Sequence, residues 1–229
     1  MILCSSPVDI KMEDIVEMTK NYLTKYQVED VVNDEAVILF ILESPHTQEV
    51  KYGYPVAGSS GLEMTRFIYN REAEDAFGKI VSQPEKYGDE YDDLEKFSLL
   101  NVSPSPMQAG GLKAYDLTVE DKKVVRILEK LRVNYKTKQH RNQEWNQVKE
   151  ILLDNFKKRL LKALDGLSKL KYLVPCGKLA ATYLNLIKDD EELIIKKEII
   201  SDIPHPSFNQ WSHYDSMEKL KEKLEEIHI

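Results

Sequence analysis

The sequence predicts an α/β fold, a three-layer αβα sandwich around a central four-stranded parallel sheet. Short apolar runs occur at 36–42, 97–102, 171–174 and 194–203, and strands buried on both faces read as such runs. Stretches of helical periodicity lie between them. Each run also ends in a marked tip: Glu43-Ser44-Pro45-His46, then Asn101 to Pro106, Pro175 to Lys178, and Pro204 to Asn209. In a parallel sheet such tips lie along one rim, outside which ligands bind.

Taken in order, Ile10, Met12, Ile15, Val16, Met18, Tyr22 and Leu23 recur at helical spacing and predict a helix over 8–30. Ala36 to Leu42 is the first strand. Gly58-Ser59-Ser60-Gly61 is a cap-like cluster opening a helix on Leu62, Met64, Phe67 and Ile68, which runs to about Tyr69 or on towards Ile80. Gln83 to Lys96 is polar and acidic, a solvated loop. The second strand, Phe97 to Val102, stops at Ser103-Pro104-Ser105-Pro106, because proline cannot continue a central ladder. Thr118-Val119-Glu120-Asp121 has the acids of a helix start. A long amphipathic helix spans about 144–167, another 178–187, and a charged closing helix about 216–227. The whole chain, 1–229, reads as one domain, with the 8–30 helix and the segment 118–167 as elaborations.

Composition narrows the function. No apolar run is long enough to span a bilayer, and no basic-then-apolar leader opens the chain, so a cytoplasmic protein without a membrane partner is expected. Two cysteines, Cys4 and Cys176, exclude a disulfide framework or a four-cysteine cluster within one chain. A net charge of −7 opposes general attraction to polyanions, which leaves a local basic patch as the route to nucleic acid.

Among the tips, Glu43 supplies a carboxylate and His205, fixed between two prolines, an imidazole. Each also fits a structural role as a cap or a rigid turn. Asn101 offers a donor and an acceptor side by side, which suits a nucleobase edge or a loop hydrogen bond. The 58–61 cluster suits an anion or simple capping. Cys176 reads as a buried thiol. Gly177-Lys178 lacks the rest of a phosphate-binding loop, and neither a GxGxxG nor a GxSxG pattern is present. No compact ligand spacing predicts a metal, and no cofactor is expected. The segment 130–145 mixes Lys130, Arg132, Lys136, Lys138 and Arg141 with Tyr135, His140 and Trp145. It fits a base-stacking strip and an exposed connection equally.

The order of these tips resembles the uracil-DNA glycosylase superfamily, nearest the branch whose first motif reads GEAPG followed by PFVGRAG. The corresponding residues are Leu42 to His46 and Pro55 to Gly61. That family's base-reading asparagine matches Asn101, its LGATA-type helix opening resembles Pro175 to Thr182, and its HPS motif stands as His205-Pro206-Ser207. Leu42 and His46 stand where the first motif has its glycines, and Val56 where it has the phenylalanine that stacks on the base. The cysteines of the iron–sulfur members have no counterpart.

The resemblance implies cleavage of the N-glycosidic bond of a uracil-like base in DNA, as in base excision repair, with Glu43 and His205 catalytic. It places Ser44, Pro45, His46, Val56 and Asn101 around the base. Ser59, Ser60, Ser103, Ser105, Lys178, Ser207 and Phe208 are then expected against phosphates or DNA, with Phe208 or Trp211 filling the gap left by an extruded base. Two other classes fit the same sequence: a nucleic-acid or nucleotide-binding protein that cuts nothing, and a protein that meets a basic partner through the acidic loop 85–95.

Overall fold

The structure, a computed structural model, describes residues 14–188, 196–207 and 211–227. Its elements in order are α1 (Asp14–Lys25), β1 (Ile38–Leu42), α2 (Thr47–Tyr52), α3 (Ser59–Tyr69), α4 (Phe77–Val81) and α5 (Pro84–Tyr87). They continue as β2 (Phe97–Asn101), α6 (Val119–Val133), α7 (Gln143–Gly166), β3 (Tyr172–Pro175), α8 (Lys178–Ile187), β4 (Glu198–Ile199) and α9 (Met217–Glu226). Short 3₁₀ turns precede β2, follow it at Ala109–Leu112, and precede α9.

The strands form one parallel sheet in the order β2-β1-β3-β4. β1 is central, pairing Ile38 with Phe97 and Leu42 with Asn101 on one side and Ile38 with Tyr172 on the other. Its five residues are all buried because helices cover both faces. Alternation sorts them: Leu39 and Ile41 join a core with Leu128, Leu152, Phe156 and Tyr183, while Ile38, Phe40 and Leu42 join one with Met64, Phe77, Trp211 and Leu220. The first core is covered by α1, α6, α7 and α8, and the second by α3, α4 and α9. These are the three layers expected. The stretches 8–30 and 118–167, read as elaborations, contribute α1, α6 and α7 and so make up most of one layer.

The free edge of β2 is closed by the chain leading from α1. Val31 exchanges backbone hydrogen bonds with Leu99 at 2.9 and 2.7 Å, and the Asn33 amide donates to the Phe97 and Val81 carbonyls. An edge covered in this way presents no ladder to a second chain.

Several boundaries differ from those the sequence predicts. The first helix ends at Lys25 rather than near 30, and among the described residues the last strand is confined to Glu198–Ile199. Helix α3 ends at Tyr69, the nearer of the two ends the sequence allows, where Asn70 takes a left-handed C-cap, and the stretch towards Ile80 carries a separate helix. The acidic stretch 83–96 is not merely solvated loop. It carries α5 and a 3₁₀ turn, anchored by the buried side chains of Tyr87, Tyr91 and Leu94. Residues 8–13 of the first predicted helix and 194–195 of the last predicted strand lie outside the described residues. Among the described residues no helix is long and apolar enough to cross a membrane.

Candidate active site

From β1 the chain crosses to β2 on one side and, later, to β3 on the other, so the connections diverge between β1 and β3. In such sheets the crevice at that divergence is where ligands bind. A pocket of about 390 Å³ opens there. It brings together Glu43, Ser44, His46, Val56, Ser59, Ser60, Asn101, His205 and Ser207, residues from four segments that the sequence singles out separately.

Other expected residues fall elsewhere. Ser103 and Ser105 are fully buried: the Ser103 hydroxyl donates to the Ser105 carbonyl at 2.6 Å and the Ser105 hydroxyl to the Leu23 carbonyl at 2.6 Å. They lock the proline-rich loop onto α1 and are not phosphate contacts. Pro45 is buried in the turn after β1 rather than lining the pocket. Lys178 lies at the start of α8, exposed, beside a neighbouring cavity. Phe208 lies outside the described residues. Trp211 is buried against Phe40 and Phe67, and its indole N–H donates to the Pro204 carbonyl at 2.9 Å. It belongs to the core and is unavailable to fill a gap in DNA.

Asn101 ends β2 with 1% of its surface exposed. Its backbone carbonyl accepts from Arg159 of α7 at 2.7 Å, and Arg159 also grips the Asp30 carboxylate at 2.8 and 3.0 Å. Neither Nδ2 nor Oδ1 of its side chain makes a hydrogen bond of full geometry, although the amide lies close enough to the Glu49 carboxyl group to favour its ionised form. An unpaired buried amide costs about 1–3 kcal/mol. Here the cost falls on a group that lines the pocket.

Glu43 follows β1 and forms an ion pair with Arg132 in the last turn of α6. His205 lines the same pocket, where burial pushes its imidazole towards the neutral form against the pull of Glu43. A neutral ring carries one N–H and one bare nitrogen. Nδ1 lies 3.1 Å from the Ser207 hydroxyl. When that hydroxyl donates to Nδ1, the proton sits on Nε2. Gly177, at φ +91°, lets the histidine approach: a Cβ there would come within 3.1 Å of His205 Cβ. Its N–H also donates to the Ile203 carbonyl at 2.8 Å.

The remaining wall is the loop 46–61, and its organiser is Glu49, a residue the sequence reading passed over. From the first turn of α2 its carboxylate accepts the His46 N–H at 2.8 Å and the Val56 N–H at 2.8 Å. Val56 is thereby held at φ +45°, a left-handed conformation that β-branched residues rarely adopt. Glu49 as a residue is only half-buried, but protein surrounds its carboxyl group. Burial, aided by the charge of Glu43, raises its pKa from the ordinary 4.5 to about 7 despite the two N–H donors and the Asn101 amide. Between those values the unfolded chain has lost the proton and the folded protein keeps it. The contribution to stability is therefore complete below pH 4.5 and is lost as pH rises through about 7. Thermal melts across that window are expected to show Glu49→Gln gaining on the unaltered protein as pH rises. A constant difference would place the ionisation elsewhere. The pattern His46-Thr47-Gln48-Glu49, with an acid three residues after a turn residue, was the available signal.

The segment 130–145 divides. Lys130, Lys136, Lys138 and Arg141 are exposed, but Tyr135 and Trp145 pack partly against the core and His140 stands edge-on to Trp145. The buried Lys149 ties the loop down by donating to the Thr137 and Lys138 carbonyls at 2.6 and 3.1 Å. These residues form a fixed connection more than a stacking strip. Cys176 is fully buried, which pushes its thiol pKa up. Among the described residues no group of three or more His, Cys, Asp or Glu side chains is placed to hold a metal. No family model matches the chain, and no curated protein matches it.

Proposed function

We propose that the protein is a glycosylase-like hydrolase that cleaves the N-glycosidic bond of a modified, uracil-like base in DNA. The observation that carries this reading is the Asn101 amide, buried in a pocket shared with Glu43 and His205. A donor and an acceptor side by side, neither in a full hydrogen bond within the protein and both lining a cavity, match a base edge.

In the reaction, water oxygen bonds to C1′ of the sugar as the C1′–N bond breaks, and the base departs with the electron pair. The water's proton passes to the Glu43 carboxylate or to solvent, and the departed base takes one up from solvent. Positive charge grows on the sugar, where the Glu43 carboxylate stabilises it or orients the water. Negative charge grows on the base oxygen, where an N–H of neutral His205 donates. The start of α3, with Ser59 and Ser60 facing the pocket, suits a flanking phosphate. Val56 gives the pocket an aliphatic wall.

A second reading has its own support. Arg132 holds Glu43 in an ion pair, which favours a protein that binds nucleic acid without cutting it. The test is incubation with labelled oligonucleotides carrying uracil, hypoxanthine or xanthine, single- and double-stranded, followed by alkaline cleavage of abasic sites. Scission at one modified base is expected, with Asn101→Asp shifting the preference among bases by about tenfold to a hundredfold. Binding without scission would transfer the site to the non-catalytic reading.

A further inference from the structure

We propose that Arg132 is a positioning residue that senses substrate phosphate: it holds Glu43 in the free protein and yields it when a backbone phosphate of the bound strand takes the guanidinium. The inference rests on the glycosylase reading of the same site and assigns the substrate class as a polynucleotide, not a free nucleoside.

The pair hinders the chemistry as it stands. The guanidinium Nε on Glu43 Oε1 offsets the charge meant for the sugar and takes up one of the two carboxylate oxygens that could orient water. The two partners differ in access: the Glu43 side chain is 15% exposed and the Arg132 side chain 36%. An incoming anion therefore reaches the arginine before it reaches the carboxylate.

Arg132 is also where three concavities meet. It lines the base pocket, a second cavity of about 500 Å³ and a third of about 320 Å³. The second shares Glu43 and His205 with the base pocket and adds Lys178, Tyr135 and Tyr214. The third adds Lys130. Each flanking cavity thus supplies one more cation beside Arg132, and the second supplies aromatic rings as well. Their carboxylates are Asp202, beside the Ser201 hydroxyl at 3.0 Å, and Glu129, which accepts the Ala109 N–H at 2.9 Å. Lys130, Arg132 and Lys178 mark a course for a strand whose extruded base enters the central pocket. A phosphodiester matches the arginine fork as a carboxylate does, so the two anions compete for one cation. Competition of this kind is reciprocal: whatever weakens the hold of Glu43 must strengthen the hold of phosphate.

That reciprocity gives a test that needs no turnover. A short labelled thymidine oligonucleotide is titrated against the unaltered protein, Glu43→Gln and Arg132→Gln at several salt concentrations. Glu43→Gln is expected to bind about fivefold or more tightly. Arg132→Gln should bind more weakly, with a salt dependence reduced by about one phosphate contact. In parallel, base release is compared for a deoxyuridine-containing strand and for free deoxyuridine. The unaltered protein should favour the strand. Arg132→Gln should narrow that preference, and Arg132→Lys should restore part of it. Unchanged affinity in Glu43→Gln overturns the proposal, as does an equal loss on strand and nucleoside in Arg132→Gln. Tightening in Glu43→Gln with no base released by any variant would sink the glycosylase reading and still support the exchange of Arg132 between anions.

Discussion

Glu43→Gln is expected to slow base release by about 10²–10⁴-fold, the usual contribution of a positioned acid or base. Glutamine keeps the size of the side chain and one acceptor oxygen but removes the charge that faces the developing sugar cation. The fold should barely notice. The ion pair with Arg132 is partly exposed, and such pairs contribute about 1 kcal/mol or less, or some 2–4 °C in melting temperature for a chain of this size. Single-turnover release and a thermal melt on the same preparation separate the two effects. Full activity in the variant would remove Glu43 from the reaction, and a collapsed melt would make it a structural residue.

A large loss of stability is expected from Gly61→Ala. An ideal Cβ at Gly61 would lie 1.8 Å from the Val56 carbonyl oxygen and 2.9 Å from Ala76 Cβ. Backbone cannot give way as a flexible side chain does, so α3 and the Val56 turn must separate. Overpacking of this severity costs about 3 kcal/mol, at the upper end of its range. The glycine also fixes the pocket, because the displaced carbonyl belongs to Val56, the residue whose own N–H is held by Glu49. Loss of oligonucleotide binding should therefore accompany the drop in melting temperature, whereas Gly166→Ala, with nothing within 4 Å of its Cβ, serves as the neutral comparison. Equal melts for the two variants would mean that the turn relaxes freely.

Legibility in the sequence followed burial. The strand at 38–42 was plain because both of its faces are covered, so no polar residue interrupts it. The tips were plain because proline, glycine and polar residues cluster where a buried strand must stop. Tyr87, Tyr91 and Leu94 were hidden among acids, since a short helix anchored by scattered side chains has no period to detect. Arg132 was visible only as one cation in a basic run. Its pairing with a residue 89 positions away is a product of tertiary packing, and no local pattern encodes it. Glu49 was lost because α2 has only six residues. The serines of the proline-rich loop misled for the opposite reason: a hydroxyl that satisfies a buried carbonyl and one that awaits a phosphate look alike in one dimension.

The way Asn101 is held has a consequence for how the pocket can change. Its main chain is clamped by β1 pairing and by Arg159, while its side chain takes no part in that clamp. Position 101 therefore behaves as a socket into which different side chains can be fitted without remaking the scaffold. Aspartate, serine or threonine placed there would face the same cavity from the same anchored backbone. Selectivity on this framework can drift through single substitutions while the fold stays constant, which is how one architecture could serve a series of ligands.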